Sequence, residues 1–163
     1  MPDTTKLSTR SGTVADAAAI AEIYNQGIAD RIATFETEPR TAADIAPWFA
    51  PRHVIVVAEN GKAGPVAFAA SFPYSNRPCY RGIGEFSVYV RRDYRGRGAG
   101  GTVLAGLIEA AETAGLHKLI SRVFPENAAS RALLKGDRRH GQLDGVWRDC
   151  VIVERLLDPG AGE

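Results

Sequence analysis

Between Val88 and Gly101 the chain reads Val-Tyr-Val-Arg-Arg-Asp-Tyr-Arg-Gly-Arg-Gly-Ala-Gly-Gly: a β-rich stretch that enters a glycine-dense turn and then a helical pattern. Glycines let a backbone take positive φ and approach a ligand closely. The helix beyond leaves its first N–H groups unpaired and presents the positive end of its dipole. Arg95, Gly96, Arg97, Gly98, Ala99, Gly100 and Gly101 therefore form a candidate anion site of the phosphate type. Charge-assisted hydrogen bonds contribute roughly 1.5–3 kcal/mol each, so a few backbone donors and one arginine can dominate the binding of a pyrophosphate. Metal chemistry has no comparable signal. His53, His117 and His140 lack metal-binding spacing, Cys79 and Cys150 are too few for a zinc cluster or a disulfide framework, and no metal is predicted.

Three phosphate loops compete for this segment. The nucleoside triphosphate loop needs a lysine after its last glycine, and Gly101 is followed by Thr102. Gly96 to Gly101 satisfies G-x-G-x-x-G, with Glu126 available as a ribose-binding acid. However, Arg91–Arg95 separate the strand from the first glycine, and too little chain follows Gly101 for a full dinucleotide fold. The third loop, arginine or glutamine-x-x-glycine-x-glycine or alanine, is matched by Arg95-Gly-Arg-Gly98-Ala-Gly100, and it belongs to the GNAT acetyltransferases.

The chain resembles that superfamily. Within it the resemblance is to the phosphinothricin-type acetyltransferases, and more closely to their arsinothricin-acetylating branch. It is carried by Ile23-Tyr-Asn25, Ala33-Thr-Phe-Glu-Thr37, Gly84-Glu-Phe-Ser-Val-Tyr-Val90, Asn127-Ala-Ala-Ser130 and His140-Gly-Gln-Leu-Asp-Gly-Val-Trp-Arg-Asp149, and spans Thr13 to Leu157. It implies acetyl-CoA as cofactor, with backbone groups of Val88, Tyr89 and Val90 along the pantetheine arm. It also implies the glycine loop at the pyrophosphate and Asn127 near the thiol end.

Transfer to an amine requires an ammonium to lose its proton before the nitrogen attacks a thioester carbonyl, so a carboxylate or histidine must lie within reach. Glu85, beside the cofactor residues, is the first candidate, and similar enzymes carry an acid there. His140 is the second. A backbone N–H of the central strand would steady the developing oxyanion. The resemblance places acceptor selection in Phe35, Glu36 and Thr37 and in the loop 74–81. Arg77 and Arg81 are the candidate clamps there for an amino acid with two anionic ends.

The elements that must position these residues follow from periodicity. Lys6–Thr13 suits a strand. Thr13-Val-Ala-Asp16 suits a capping box that opens a helix to about Ile28, with Ala17, Ile20, Ala21, Ile23, Tyr24 and Ile28 as its apolar stripe. Thr41 caps a short helix that carries Ile45, Trp48 and Phe49 and stops at Pro51. Val54–Glu59 and Pro65–Phe72 pair about Asn60-Gly61, a strong hairpin signal. Gly84–Arg91 alternates, with Phe86, Val88 and Val90 on one face and Glu85, Ser87 and Tyr89 on the other. A helix runs from Ala99 toward Gly115 on Val103, Leu104, Leu107, Ile108 and Ala111. A strand over Lys118–Phe124, a helix from Asn127 to Lys135 and a closing strand over Cys150–Leu157 complete the series. The order predicts one α/β (α+β) GNAT-like domain over residues 1–163, with a central mixed, mostly antiparallel sheet flanked by helices.

Bulk properties agree. With 163 residues, 45% apolar and 24% charged, the chain suits one globular core. Twenty basic against 19 acidic residues give no field that would recruit nucleic acid or a membrane. With neither a signal peptide nor a spanning segment, a cytoplasmic protein is expected, acting on a small-molecule acceptor as a homodimer. The chain departs from the family after Leu134, where Lys-Gly-Asp-Arg-Arg leads directly to His140. About ten residues, the size of a turn and a strand, are missing there. The C-terminal part is therefore expected to be shortened, with one strand lost and a sheet edge exposed. A non-catalytic acyl-CoA-binding protein, or an acetyltransferase for another amine, is the alternative reading.

Overall fold

A computed structural model describes residues 6–31, 34, 36–123, 136–138, 141–143, 146–148 and 151–157. Along the chain the elements are β1 (Ser8–Ser11), α1 (Ala17–Asp30), α2 (Ala42–Ile45), β2 (Val54–Asn60), β3 (Gly64–Pro73), β4 (Ile83–Val90), α3 (Ala99–Thr113) and β5 (Lys118–Val123). They end with β6 (Gly136–Arg138), β7 (Gly141–Leu143), β8 (Val146–Arg148) and β9 (Val151–Leu156).

Thr13 opens the first helical segment as the capping box predicts. Its N–H donates to the Asp16 carboxylate at 2.8 Å, and a 3-10 turn, Val14–Asp16, leads into α1. Asp16 is buried and also accepts two 2.8 Å hydrogen bonds from Arg10. The Arg10 guanidinium outweighs the burial penalty and, with the Thr13 N–H, holds the Asp16 carboxyl below the usual carboxylate range. A depressed folded pKa contributes stability that is complete above the unfolded value of about 4 and is lost as pH falls through the folded value. Asp16→Asn is therefore expected to cost about 1–2 kcal/mol at neutral pH, after allowance for the partial exposure of Arg10. Melting curves of the two proteins should converge as the pH drops below 4. A gap that stayed constant down to pH 2 would exclude this linkage.

Among the described residues, seven strands form one sheet in the order β1-β2-β3-β4-β5-β9-β6, and β7 pairs with β8 separately. All neighbours in the large sheet are antiparallel except β4 and β5. Both faces are covered, which explains the near-continuous apolar runs of β2 and β3. On one face Ile20, Ile23, Tyr24 and Ile28 of α1 and Ile45 of α2 pack with Val57, Phe68, Ala70 and Tyr89. On the other, Val103, Leu107 and Ala111 of α3 pack with Val56, Ala58, Ala67, Ala69 and Phe86. The predicted stripes of both helices thus lie on the core, and β4 divides its residues between the faces as its alternation predicts.

Two expectations are corrected in detail. The β2–β3 connection is a three-residue loop, because Asn60 pairs with Gly64 and not across an Asn-Gly turn. The Ala63 N–H closes a turn on the Asn60 carbonyl at 3.0 Å, and Gly64, at φ 67°, supplies the left-handed residue this loop type requires. The strand expected to be lost before the closing strand is retained in brief form. Three residues of β6 pair with Val151–Val153 of β9, so the edge is capped over half its length. The predicted helix from Asn127 to Lys135 lies outside the described residues.

The β4–β5 pairing is what shapes the site. It is parallel and extends over three rungs, Ile83–Lys118, Gly84–Leu119 and Glu85–Ile120. Beyond Glu85 the rest of β4 stays on β3 as far as Val90–Ala67, while β5 continues on β9. The two strands diverge from that point, leaving a V-shaped opening in the sheet with Glu85 at its vertex.

Candidate active site

The glycine loop leaves the far end of β4 and is held by α1. The Arg92 N–H donates to the Gln26 side-chain oxygen at 2.7 Å. One turn further along the helix, Asp30 accepts Arg92 on one carboxylate oxygen at 2.8 Å and Arg95 on the other at 2.5 Å. Burial pushes the Asp30 carboxyl up, but the hydrogen bonds from Arg95 and Arg92 outweigh it and hold the group below the usual carboxylate range. Arg97 and Arg91 lie over the Tyr94 ring at 5.0 and 4.9 Å, and the Tyr94 hydroxyl accepts from Asn60. The sequence predicts Arg95 and Arg97 as full charges for the anion. The structure shows Arg95 already engaged by Asp30.

Gly96 and Gly98 have φ of 75° and 82°, and a Cβ added at Gly96, Gly98 or Gly101 would meet nothing within 4 Å. Gly98 caps α3, whose first closing bond runs from the Thr102 N–H to the Gly98 carbonyl at 3.1 Å. Ala99, Gly100 and Gly101 therefore contribute first-turn N–H groups directed to the open side of the loop. The loop has both the backbone freedom and the open approach that a pyrophosphate requires. Val88, Tyr89 and Val90, which lie beyond the last β4–β5 rung, provide a strand edge leading from the loop to the vertex.

On the α1 face, Tyr89 stacks on Phe68 and meets Tyr24 edge-on, with centroids 5.3 and 5.0 Å apart. Burial, first of all, raises the Tyr89 phenol well above its ordinary pKa, so it stays protonated at physiological pH. Thr34 is hydrogen-bonded to the Tyr24 and Tyr89 hydroxyls, and the Glu36 charge acts on both. The segment holding Glu36 and Thr37 thus lies over the tyrosine pair, on the same face as Glu85. Phe35, Asn127 and His140 lie outside the described residues.

Asn25 holds that segment in place. Its amide donates to the Arg40 carbonyl at 2.8 Å and accepts from the Arg40 N–H at 2.7 Å, while the Arg40 side chain reaches Glu36 at 2.9 Å. Asn25→Ala is expected to raise KM for the acceptor about tenfold, the equivalent of losing one well-made hydrogen-bond pair, with KM for the donor unchanged. Steady-state kinetics with each substrate varied in turn would check this. Equal shifts in both constants would count against a local role.

Arg77 caps a short turn, Pro78–Tyr80, and lies over the Tyr80 ring at 5.9 Å. Arg81 lines a cavity of about 730 Å³ where β4 begins and α3 ends, together with Arg52, His53 and the buried Ser71 hydroxyl. The structure does not gather Arg81 with the Glu36 segment. It does bring Arg122 of β5 to the vertex, where its guanidinium pairs with Glu85. Sequence reasoning passed over Arg122. The available signal was strand alternation over Lys118–Phe124, which sets Arg122 on the same face as Lys118 and Ile120. Among the described residues no group of three His, Cys, Asp or Glu side chains is placed to hold a metal ion, and no helix is long and apolar enough to cross a membrane.

A sheet opened between two parallel strands, with a glycine loop at the head of the following helix, offers a site for a phosphate-bearing cofactor. The acetyltransferase (GNAT) family model matches residues 20–137, and the chain belongs to that family. Among curated relatives, an L-methionine sulfoximine/L-methionine sulfone acetyltransferase of Pseudomonas aeruginosa is 33% identical over 93% of this chain and 95% of its own. The phosphinothricin N-acetyltransferase of Streptomyces coelicolor is 30% identical over 96% of this chain and 100% of its own. Among solved structures, a phosphinothricin acetyltransferase of Sinorhizobium meliloti in complex with acetyl-CoA superposes with a TM-score of 0.80 at 28% identity, covering 96% of this chain and 92% of that one. The Salmonella typhimurium yncA structure, with acetyl-CoA as its cofactor, gives 0.85 at 26% identity over 96% of each chain.

Proposed function

We propose that the chain transfers the acetyl group of acetyl-CoA to the amino group of a small glutamate-like amino acid of the phosphinothricin, arsinothricin or methionine sulfoximine type. Transfer occurs by direct attack in a ternary complex. The observation that carries this reading is the vertex of the β4–β5 opening, where Glu85 stands between the strand edge leading to the glycine loop and the Glu36–Tyr89 wall. When bound, acetyl-CoA supplies an activated thioester. The α3 N-terminus and the loop from Gly96 to Gly101 hold its pyrophosphate, and the backbone of Val88–Val90 guides its pantetheine arm. Glu85 takes one proton of the acceptor ammonium, and the freed nitrogen bonds to the thioester carbon as the carbon–sulfur bond breaks. CoA would leave as a thiolate that takes up the second proton of the nitrogen, with an N–H of β4 placed to steady the carbonyl oxygen. Phe35, Glu36, Thr37, Arg77 and Arg81 select the acceptor, and Asn127 and His140 act at the thiol end and beside the amine. The protein works in the cytoplasm as a homodimer, and its role is detoxification.

The test is turnover of acetyl-CoA with phosphinothricin, arsinothricin and methionine sulfoximine. Acetylation of at least one acceptor is expected. Acetyl-CoA binding without turnover of any of the three would favour a non-catalytic acyl-CoA-binding protein or a different amine. Binding of NAD(H) in place of acetyl-CoA would overturn the reading of the loop.

A further inference from the structure

Glu85 shares the vertex with a residue that neither the cofactor loop nor the acceptor segment accounts for. Ile120 is the rung partner of Glu85, and strand alternation puts Arg122, two residues on, on the same side of the sheet. Leu119 faces the opposite way, into the core under α3. The strands part just beyond this rung, so the Arg122 side chain reaches across the start of the opening, and its Nη1 donates to Glu85 Oε1. The pair is neither buried away nor fully in water, with side-chain exposures of 29% for Arg122 and 37% for Glu85. Among the described residues, however, the buried Arg122 Nε has no hydrogen-bond partner. A guanidinium offers five donors in a fixed fork, and leaving a buried one without an acceptor is unfavourable. At the wall of a site, such an orphan marks where an oxygen arrives with the ligand.

An α-amino acid carries an ammonium and a carboxylate on one carbon. The vertex carries their complements side by side, a carboxylate and a guanidinium. We propose that Arg122 anchors the α-carboxylate of the acceptor. This rests on the amino-acid reading above. On binding, Glu85 and Arg122 exchange their contact with each other for contacts with the two ends of the acceptor. The carboxylate takes the guanidinium fork, including Nε, and the ammonium is left beside Glu85. No net charge enters the vertex, so neither protein group is stripped of a partner without replacement. An amine without an α-carboxylate gives Arg122 no reason to leave Glu85, and the proton acceptor stays engaged.

The experiment compares kcat/KM for methionine sulfoximine with that for its α-carboxamide at saturating acetyl-CoA, in the wild-type chain, Arg122→Gln and Arg122→Lys. The acid is expected to exceed the amide by about 30-fold or more in the wild type, and the ratio to fall to about threefold or less in Arg122→Gln. KM for acetyl-CoA should be unchanged. Reading the change in ratio on mutation cancels the lower basicity of the carboxamide amine. Arg122→Lys, which keeps the charge but not the fork, should raise KM for the acid about tenfold with kcat retained, and it decides the question if Arg122→Gln fails to fold. Turnover with a ratio that survives both substitutions overturns the anchor alone. Failure of the wild type to acetylate any of the three amino acids overturns the functional reading, and the anchor with it.

Discussion

Glu85→Gln is expected to lower kcat/KM for the amino-acid acceptor by about 100- to 1,000-fold and to leave the acetyl-CoA dissociation constant within about twofold of wild type. The amide matches the carboxylate in size and can still accept a hydrogen bond from Arg122, so the vertex keeps its shape. It loses the capacity to take a proton, and with it the step that frees the attacking nitrogen. The loss should fall on kcat more than on KM, because the function removed operates only on the way to the transition state. Calorimetry with acetyl-CoA and steady-state rates with the acceptor varied would separate the two effects. A variant that keeps a third or more of wild-type turnover would remove Glu85 from the chemistry and direct attention to His140.

Gly98→Val is expected to raise the acetyl-CoA dissociation constant about 30-fold. Gly98 sits at φ 82° as the cap of α3. A side chain in left-handed backbone costs roughly 1–2 kcal/mol, and a β-branched one lies at the upper end of that range. Relaxing that strain turns the first N–H groups of α3 away from the anion. About 2 kcal/mol corresponds to about 30-fold in affinity. Gly101→Ala is the control. Gly101 lies inside the helix with a conventional φ, and a Cβ there meets nothing within 4 Å, so any loss comes from the ligand's approach and not from the backbone. If Gly98→Val binds acetyl-CoA as well as wild type, the loop does not hold the pyrophosphate.

The parts of this molecule that were legible in the sequence are those set by neighbours along the chain. The α1 stripe, the capping box at Thr13, the cap at Thr41, the division of β4 between two faces and the glycine turn into α3 all follow from local spacing, and the structure keeps them. Asn60-Gly61 marked a hairpin correctly but not its loop length. Gly64 takes the left-handed position, and that depends on how β2 and β3 pair over their whole length. The partners of the site were not legible, because they are distant in the chain. Arg95 meets Asp30 across 65 positions and Glu85 meets Arg122 across 37. Arg122 looked like an ordinary strand arginine until the three β4–β5 rungs fixed which residue it faces. The C-terminal shortage was visible as missing residues, but the survival of β6 was not, since three residues are too few to show a periodicity.

Those three rungs have a further consequence. Among the described residues, β1 to β4 with both long helices form one block, β5, β9 and β6 form another, and backbone hydrogen bonding joins the sheet between them over only three residues. The sheet has a seam, and the proposed function puts the cofactor in it. A molecule wedged between β4 and β5 would touch both blocks at once, and acetyl-CoA bound as proposed would serve the fold as a cross-brace as well as a reagent. The supply of donor would then set how firmly the two halves of the protein are fastened together.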